Sequence, residues 1–367
     1  MEKQCNREEK VHKNKWLKRL LLVLAAQLVL VASIVIVFDP FYQYHAPWFG
    51  LEAVLNDRDN QMPGTVRNFS YDSVLVGSSV AENFDSDFLD AAYGGETLKI
   101  IRASGSVADL LYYLKQAHER QELNQVFWCL DIFALDASTE VTLYDDSVPK
   151  YLHTRTILDD LPYLFNKEIL FEKIPYMLAC SWKGINTGGK AYDWSRDKNF
   201  SAEATMSNYY REPIGPEVEI PQKAVSEKQD LIQANIQMLL EEIEAHPNVQ
   251  YRFLVPPYSL IWWDTAYLNG DLEENLYSLE QAFAALIPLE NVEVYFFQAE
   301  ADIVCNLDYY MDMVHYSPDI NQYMLDCMVA GDRRLTAENW QEELERMREL
   351  AVRISKEEIY RYSPLEQ

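Results

Sequence analysis

Short apolar runs rich in β-branched residues alternate with amphipathic helical patterns along most of the chain. Runs bounded by turn residues predict buried strands at Ser73–Gly77, Leu98–Ala103, Gln125–Asp131, Val249–Val255 and Val292–Phe297. Helical patterns lie between them, most clearly at Val107–Glu119 and Glu227–Ala245. The alternation predicts an α/β domain in which helices wrap a mainly parallel five-stranded sheet, with ligands bound at the carboxyl ends of the strands.

Two segments interrupt this alternation and together predict an insertion at about 150–222. Ile157–Ala179 has an apolar, aromatic helical pattern, and Ser181–Gln222 is polar with scattered aromatic residues and turn residues. A loop-rich insertion of this length is often a functional lid, and a merely decorative insertion fits the pattern equally well. Farther along the chain, Thr336–Ile354 has the spacing of an amphipathic helix that packs on the domain.

The N-terminal part of the chain has a different pattern. Leu20–Phe38 carries no charge, and a helix of this length spans about 28 Å, close to the hydrocarbon thickness of a bilayer. The preceding residues hold seven basic and three acidic side chains, so the positive-inside rule places the N-terminus in the cytoplasm and the domain outside the cell. Asp39-Pro40 follows the apolar run instead of a small-residue cleavage site, which favours an uncleaved anchor over a signal peptide. A buried core helix is the alternative.

The predicted organisation therefore has four parts: a basic tail at 1–19, a transmembrane anchor at 20–38, a juxtamembrane segment at 39–69 and one domain at 70–367. The whole chain of 367 residues has a net charge of −26. The tail contributes +4, which leaves −30 for the rest. This balance argues against a nucleic-acid partner, which needs a basic face. A hydrophobic content of 49% excludes a disordered acidic chain.

A candidate nucleophile follows the first predicted strand, in the sequence Gly77-Ser78-Ser79. A serine on the turn that leaves a parallel strand is exposed at the carboxyl end of the sheet. Backbone N–H groups of a helix that begins there can stabilise an oxyanion. An ordinary Gly-Ser-Ser turn is the alternative interpretation.

A candidate base lies near the end of the domain, where Asp312 precedes His315 by three residues. A carboxylate at this spacing can orient the imidazole and favour its charged form, and a surface ion pair is the alternative. The other five histidines are weaker candidates: His12 in the tail, His45 beside the membrane, His118 on a helix where we expect a solvated position, His153 without a neighbouring carboxylate, and His246 at a helix end.

A third motif, Ser104-Gly105-Ser106, follows the second predicted strand. Glycine allows a close backbone approach, so the Gly105 N–H could donate to an oxyanion. The alternative is an ordinary strand-to-helix loop in which Ser104 or Ser106 caps the helix.

The three motifs, in this order along the chain, resemble the SGNH/GDSL hydrolase superfamily, and the resemblance covers about residues 70–330. It implies a flavodoxin-like three-layer sandwich and an acyl-serine mechanism. We expect no cofactor and no metal, because the sequence contains no P-loop, no HExxH and no Rossmann GxGxxG motif. Ser79 matches the nucleophile, Gly105 the oxyanion glycine, and Asp312 with His315 the acid–base pair.

A narrower resemblance comes from the anchor together with DSVLVGSSVAENF, VPPYS and DMVHYSPDIN. These features are similar to those of anchored bacterial SGNH-like proteins, which resemble accessory proteins of cell-surface O-acylation, such as alginate acetylation and lipoteichoic acid D-alanylation. The resemblance implies a cell-envelope carbohydrate or polyol substrate, and a membrane-bound O-acyltransferase as partner.

One position departs from the superfamily pattern. The superfamily has a Gly-x-Asn after the third strand, and that Asn side chain helps to hold the oxyanion, whereas this chain has Asp131 there. A carboxylate would repel an oxyanion unless it is protonated or paired. Asn83 or backbone groups could take over the role, so Ser78, Asn83 and Asp131 join Gly105 as oxyanion or binding candidates.

The sequence thus favours a membrane-anchored serine acyltransferase or esterase that acts on O-acyl groups of envelope glycan or polyol polymer. The alternative is a catalytically inactive SGNH-fold module that binds glycan or serves as a scaffold for a membrane-bound O-acyltransferase. Four tryptophans are candidates for stacking on sugar rings, with core packing as the alternative for each: Trp182, Trp194, Trp262 and Trp263.

Overall fold

A computed structural model describes residues 2–142, 149–154, 156–207, 209–211 and 213–364, with side chains from residue 15 onward. The strands are β1 (Ser73–Gly77), β2 (Thr97–Ile101), β3 (Gln125–Cys129), β4 (Gln250–Val255), β5 (Val292–Phe296) and β6 (Arg334–Leu335). The α-helices are α1 (Glu2–Phe38), α2 (Arg58–Asn68), α3 (Ser86–Tyr93), α4 (Val107–His118), α5 (Ile132–Leu135), α6 (Leu161–Leu164), α7 (Ile174–Trp182), α8 (Ala202–Met206), α9 (Gln229–Ala245), α10 (Leu260–Asn269), α11 (Leu272–Leu286), α12 (Ala301–Val304), α13 (Pro318–Ala330) and α14 (Trp340–Lys356). Short 3₁₀ turns occur at Ser79–Ala81, Lys150–His153, Gly188–Lys190, Ser195–Asp197, Val225–Glu227, Leu307–Tyr309 and Glu358–Arg361, and Ile169–Lys173 is a π-helical turn.

Within the described residues, six strands form one sheet in the order β2-β1-β3-β4-β5-β6. The first five strands in this order form four parallel pairs, and β6 pairs antiparallel with β5. The predicted α/β class, the mainly parallel sheet and its five parallel strands are confirmed. The sequence predicts five strands and does not predict β6, because a strand of two residues is too short to leave a periodic pattern.

The strands are buried because helices cover the sheet. Every residue of β1 is buried, as expected of a parallel strand with both faces covered. Helix α4 contacts α9, which in turn contacts α11, whereas α3 contacts α13. From β1 the chain first moves to β2 on one side of it. It then crosses to β3 on the other side and continues outward through β4 to β5. Right-handed crossovers therefore put α3 on the opposite face from α4, α9 and α11.

The predicted C-terminal helix exists and packs on α10 and α11 through a buried face of Leu344, Met347, Ala351 and Ile354. It begins four residues later than predicted. The Thr336 N–H donates to Asn339 Oδ1 at 2.7 Å, and Asn339 Nδ2 donates to the Arg334 carbonyl at 3.1 Å. This turn follows directly on β6 and delays the start of the helix.

The predicted helical stretch at Ile157–Ala179 is broken into α6, a π-helical turn and α7. The break lies where Asn166 Oδ1 accepts the Glu168 N–H at 2.8 Å, a local bond that competes with continuous helix. Within the predicted insertion at about 150–222, residues 155, 208 and 212 lie outside the described residues.

One helix segment, Lys15–Phe38, is long and apolar enough by length and composition to cross a membrane. Only 6% of its most apolar window is buried, so it is not a core helix of the domain. At its end, Asp39 accepts the Gln43, Tyr44 and His45 N–H groups at 2.7–3.0 Å and the Tyr163 hydroxyl at 2.7 Å. This buried carboxylate fastens the end of α1 to α6.

Candidate active site

The candidate nucleophile Ser79 is half-buried at the carboxyl end of β1, where a 3₁₀ turn begins. Gly77 allows this turn, because a Cβ at that position would lie 2.6 Å from the Ala81 Cβ and 3.0 Å from the Cys129 Cβ. The turn can therefore fold closely over the end of β3 only with glycine before it.

The candidate base and acid meet Ser79 from the far end of the chain. The Ser79 Oγ lies 2.8 Å from His315 Nε2, and His315 Nδ1 lies 2.7 Å from Asp312 Oδ2. Asp312 Oδ1 also accepts the backbone N–H groups of Val314 at 2.9 Å and of His315 at 2.8 Å. The structure thus brings the three predicted catalytic residues into one hydrogen-bonded chain across 236 positions of sequence.

Hydrogen bonds tie the loop that carries His315 to the loop that carries Ser79. The Tyr316 hydroxyl and Asn321 Nδ2 both donate to the Val80 carbonyl at 3.2 Å. From the loop between β4 and α10, the Ser259 N–H and hydroxyl both donate to the Met313 carbonyl at 3.0 Å. The distance between nucleophile and base is therefore fixed by neighbours of both residues.

Electrostatics keep the Asp312 carboxyl ionised. Burial by itself raises its pKa, but the hydrogen bonds and charge of His315, with two backbone N–H groups, outweigh burial and hold the pKa below its usual range. When the carboxylate accepts from Nδ1–H, the lone pair of His315 Nε2 faces the Ser79 hydroxyl. Such an arrangement can remove the hydroxyl proton.

The predicted oxyanion glycine is engaged elsewhere. The Gly105 N–H donates to the Arg102 carbonyl at 3.0 Å. A Cβ on Gly105 would lie 2.9 Å from the Arg102 Cβ. Ser106 caps α4, since its hydroxyl accepts the Asp109 N–H at 3.1 Å. This geometry is that of a close strand-to-helix turn, and it does not present the Gly105 N–H to an oxyanion.

Asp131 is turned into the domain and does not line the cleft beside Ser79. Its side chain is 2% exposed and accepts hydrogen bonds from the Tyr258 and Ser78 hydroxyls. Burial raises the pKa of Asp131 to about 6, although both hydroxyls and the charge of His315 oppose the rise. Of the two remaining binding candidates, Ser78 therefore supports Asp131 behind the nucleophile.

Asn83 positions a residue of the insertion, because its Oδ1 accepts the Trp194 N–H at 3.2 Å. The Trp194 indole Nε1 donates to the Ser79 carbonyl at 2.9 Å, and its ring meets the His315 ring edge-on at 5.2 Å between centroids. Trp194 thus contacts the site, whereas Trp263 is buried in the core and donates to Gln298. From the sequence, Trp194 is a candidate for stacking on a sugar ring, but no local pattern indicates its bonds to Asn83 and to the Ser79 carbonyl.

A buried lysine fastens the insertion beside the Ser79 turn. Lys99 on β2 is 2% exposed, and its Nζ donates to the Glu82 carbonyl at 2.8 Å and to the Ala191 carbonyl at 2.9 Å. Burial lowers the pKa of Lys99 to about 7, against the pull of Asp85, Asp193 and Asp87. No periodic pattern in the sequence indicates these two hydrogen bonds of Lys99.

Ser79 and His315 open into a cleft of about 840 Å³. One side comes from the juxtamembrane segment around Arg58 and Asp59, and the other from the insertion, including Asn186, Thr187, Lys190, Tyr192, Asp193, Trp194 and Arg196. Arg58 pairs with both Asp59 and Glu82 in the cleft. The insertion forms a wall of the site, and the juxtamembrane contribution was missed because its residues are far from the motifs in sequence.

His118 and His246, which the sequence makes weaker candidates for the base, contact each other away from Ser79. The His118 side chain is 5% exposed, contrary to the solvated position expected for it. It stacks on His246, and both rings approach Glu242 on α9. These three residues are the group of described side chains whose ligand atoms converge closely enough for a metal ion.

Comparison with known proteins adds one structural likeness. Protein-family models and curated proteins give no match. A solved structure of a Streptococcus pneumonia protein, provisionally described as a platelet activating factor, is similar to this chain at 12% identity and a TM-score of 0.34, with 74% of this chain and 90% of that chain covered.

Proposed function

We propose that this protein is a membrane-anchored serine acyltransferase or esterase that acts on O-acyl groups of a cell-envelope glycan or polyol polymer. The observation that carries the proposal is the continuous relay from Ser79 Oγ through His315 to Asp312, at 2.8 and 2.7 Å. The strand order β2-β1-β3-β4-β5 also supports it, since flavodoxin-like sheets have this order and bind ligands at the carboxyl ends of their strands.

The reaction we propose is a double displacement. His315 Nε2 takes the Ser79 hydroxyl proton while Oγ attacks the acyl carbonyl carbon, and the proton then passes to the leaving alkoxide as its C–O bond breaks. An acyl-Ser79 ester remains. An acceptor hydroxyl, or water, gives its proton to His315 as it attacks this ester, and Ser79 regains the proton when it leaves.

The Ser79 N–H supplies the oxyanion donor in this proposal. Among the described residues it donates to no protein acceptor, whereas the Ala81 and Glu82 N–H groups close the 3₁₀ turn on Ser78 and Ser79. A backbone N–H aimed at the developing charge lowers the barrier without reorganisation. With Gly105 engaged and Asp131 turned inward, the site has fewer donors than the superfamily pattern implies.

The cleft favours a polar, uncharged substrate. Its lining mixes cations such as Arg58, Lys190 and Arg196 with anions such as Asp59 and Asp193. Neighbouring charges of both signs neither attract nor repel a polyanion strongly. Hydroxyl-rich sugar or polyol units suit such a surface, and the volume accommodates one or two of them.

We propose that α1 anchors the protein, with the N-terminus in the cytoplasm and the domain outside. The end of α1 contributes Val35 to a buried cluster that also contains Phe41 and Tyr163. The π-helical turn that contacts α1 carries Phe171, which is 72% exposed, and the adjoining α7 ends at Trp182, which is 89% exposed. Aromatic side chains next to an apolar helix fit the interfacial layer of a bilayer, so they would hold the domain and its cleft at the membrane surface.

Labelling with a fluorophosphonate tests the proposal on the full-length protein in detergent. We expect wild-type protein and Ser207→Ala, an exposed serine on the insertion, to label equally. Ser79→Ala and His315→Ala should lose labelling while their circular dichroism spectra stay unchanged. Full labelling of Ser79→Ala would refute the assignment of the nucleophile.

Turnover distinguishes transfer from hydrolysis. With p-nitrophenyl acetate as donor, a polyol acceptor such as glycerol should accelerate nitrophenol release from wild-type protein and yield acetylated polyol if the protein is a transferase. An unreactive Ser79 in folded wild-type protein would favour the alternative, a glycan-binding or scaffold module that partners a membrane-bound O-acyltransferase. The engaged Gly105 N–H is the observation that keeps this alternative open.

A further inference from the structure

Three side chains converge where α4 and α9 end. His118 is the last residue of α4, and Glu242 and His246 are four residues apart at the end of α9. Glu242 Oε1 lies 3.6 Å from His118 Nε2 and 3.5 Å from His246 Nε2. The two imidazole rings stack face to face, 3.6 Å apart and within 5° of parallel.

These atoms lack ordinary partners. Neither distance is a hydrogen bond, and among the described residues Glu242 Oε1 and His118 Nε2 are buried without any hydrogen-bond partner. The side chains of His118 and Glu242 are each only 5% exposed. Leaving a carboxylate oxygen and an imidazole nitrogen buried and unpaired is costly. The three ligand atoms lie within 4.8 Å of one another, and a turn of one imidazole out of the stack would direct all three lone pairs at one cation.

The spacing fits a small transition-metal ion. Bonds of about 2.0–2.1 Å at a tetrahedral angle separate two ligand atoms by roughly 3.4 Å, which is close to the separations of 3.5 and 3.6 Å in this cluster. Two imidazoles and one carboxylate form a recurrent set of zinc ligands, with water in the fourth position. We propose that His118, Glu242 and His246 bind one Zn²⁺ ion.

The cluster lies at the amino ends of the strands, and Ser79 lies at their carboxyl ends. Helix α4 runs from the carboxyl end of β2 to the beginning of β3, and α9 ends just before β4 begins. The metal would therefore clamp two neighbouring helices together at the amino ends of the strands, remote from the chemistry at Ser79. Its effect is on stability, because binding to the folded state alone shifts the folding equilibrium.

Binding of Co²⁺ to the full-length protein in detergent tests the site. After treatment with a chelator, the wild-type protein should bind one equivalent of Co²⁺ with the visible absorption of a four-coordinate ion, and Zn²⁺ should displace it. We expect Glu242→Gln and His118→Gln to weaken binding by more than about 100-fold, beyond the effect of losing an outer-shell partner. The matched control is Glu241→Gln, the exposed neighbour on α9, which should bind as the wild type does.

A second measurement follows thermal stability in place of the absorption spectrum. Zn²⁺ should raise the Tm of the chelator-treated wild-type protein and of Glu241→Gln, but not of Glu242→Gln. Labelling of Ser79 by fluorophosphonate should stay the same with and without the metal. Absence of Co²⁺ binding by the wild-type protein, or undiminished binding by Glu242→Gln, would overturn the proposal.

Discussion

Replacement of Asp131 by asparagine gives the sharpest test of how the interior behind the nucleophile is built. The carboxyl group is 2% exposed, between the hydroxyls of Tyr258 and Ser78. Burial raises its pKa to about 6 from an ordinary value of 3.8. At about 1.4 kcal/mol per pH unit, this difference corresponds to about 3 kcal/mol.

The sign follows from which state binds more protons. As pH rises from 4 to 6, the unfolded chain loses the Asp131 proton first, so ionisation favours unfolding. Above the folded pKa of about 6, the whole penalty of about 3 kcal/mol is present. Asparagine cannot ionise. Asp131→Asn should therefore match the wild type near pH 4.5, within the roughly 1 kcal/mol that a changed hydrogen bond costs.

Thermal unfolding of the full-length protein in detergent, followed by circular dichroism between pH 4.5 and 8, measures the effect. At pH 7.5 we expect the Tm of Asp131→Asn to exceed that of the wild type by roughly 5 °C, the change typical of about 2–3 kcal/mol in a domain of this size. Asp302→Asn, at an exposed position on α12, is the control and should show no such pH-dependent difference. A Tm difference that is independent of pH would refute the reasoning.

Three further changes address the site and its supports. Asp312→Asn removes the carboxylate that accepts from His315 Nδ1, and ester turnover should fall by about 10²–10⁴-fold, measured by steady-state kinetics; turnover within a factor of two of wild type would contradict the relay. Trp194→Phe removes the bond to the Ser79 carbonyl and should lower kcat/KM by about 3–10-fold, the worth of one neutral hydrogen bond; an unchanged value would show that this bond does not support the nucleophile. Burial lowers the pKa of Lys99 to about 7 from 10.5, so between these values the unfolded chain binds more protons than the folded protein. The free energy of unfolding of the wild type, measured with urea, should therefore rise between pH 7 and 10 relative to that of Lys99→Met. The same pH dependence in both proteins would contradict the buried charge.

Local patterns were sufficient for the secondary structure that frames the site. The first predicted strand ends at Gly77, as the structure has it, and each other predicted strand is displaced by at most two residues at either end. A buried parallel strand is a short apolar run that turn residues interrupt, so sequence neighbours contain its signal. The two-residue β6 and the break before α7 depend on a partner strand and on one side-chain bond, and no periodicity reports these.

The sequence also predicts which residues form the candidate relay. Ser79 follows a strand, and Asp312 precedes His315 by three residues, so the type and order of the groups are visible in the sequence. Their approach to 2.8 Å is a tertiary fact that depends on the bonds from Tyr316 and Asn321 to Val80.

The sequence by itself determined the apolar N-terminal helix, the alternation of strands and helices, and the residues that could form a relay, because each depends on neighbours within a few positions. Only the tertiary structure decided that Asp131 faces inward, that the Gly105 N–H is engaged, and that His118 meets Glu242. The physical reason is that the direction of a side chain or an amide depends on which distant groups fill the space around it. That space is closed only when the sheet has brought remote segments of the chain together.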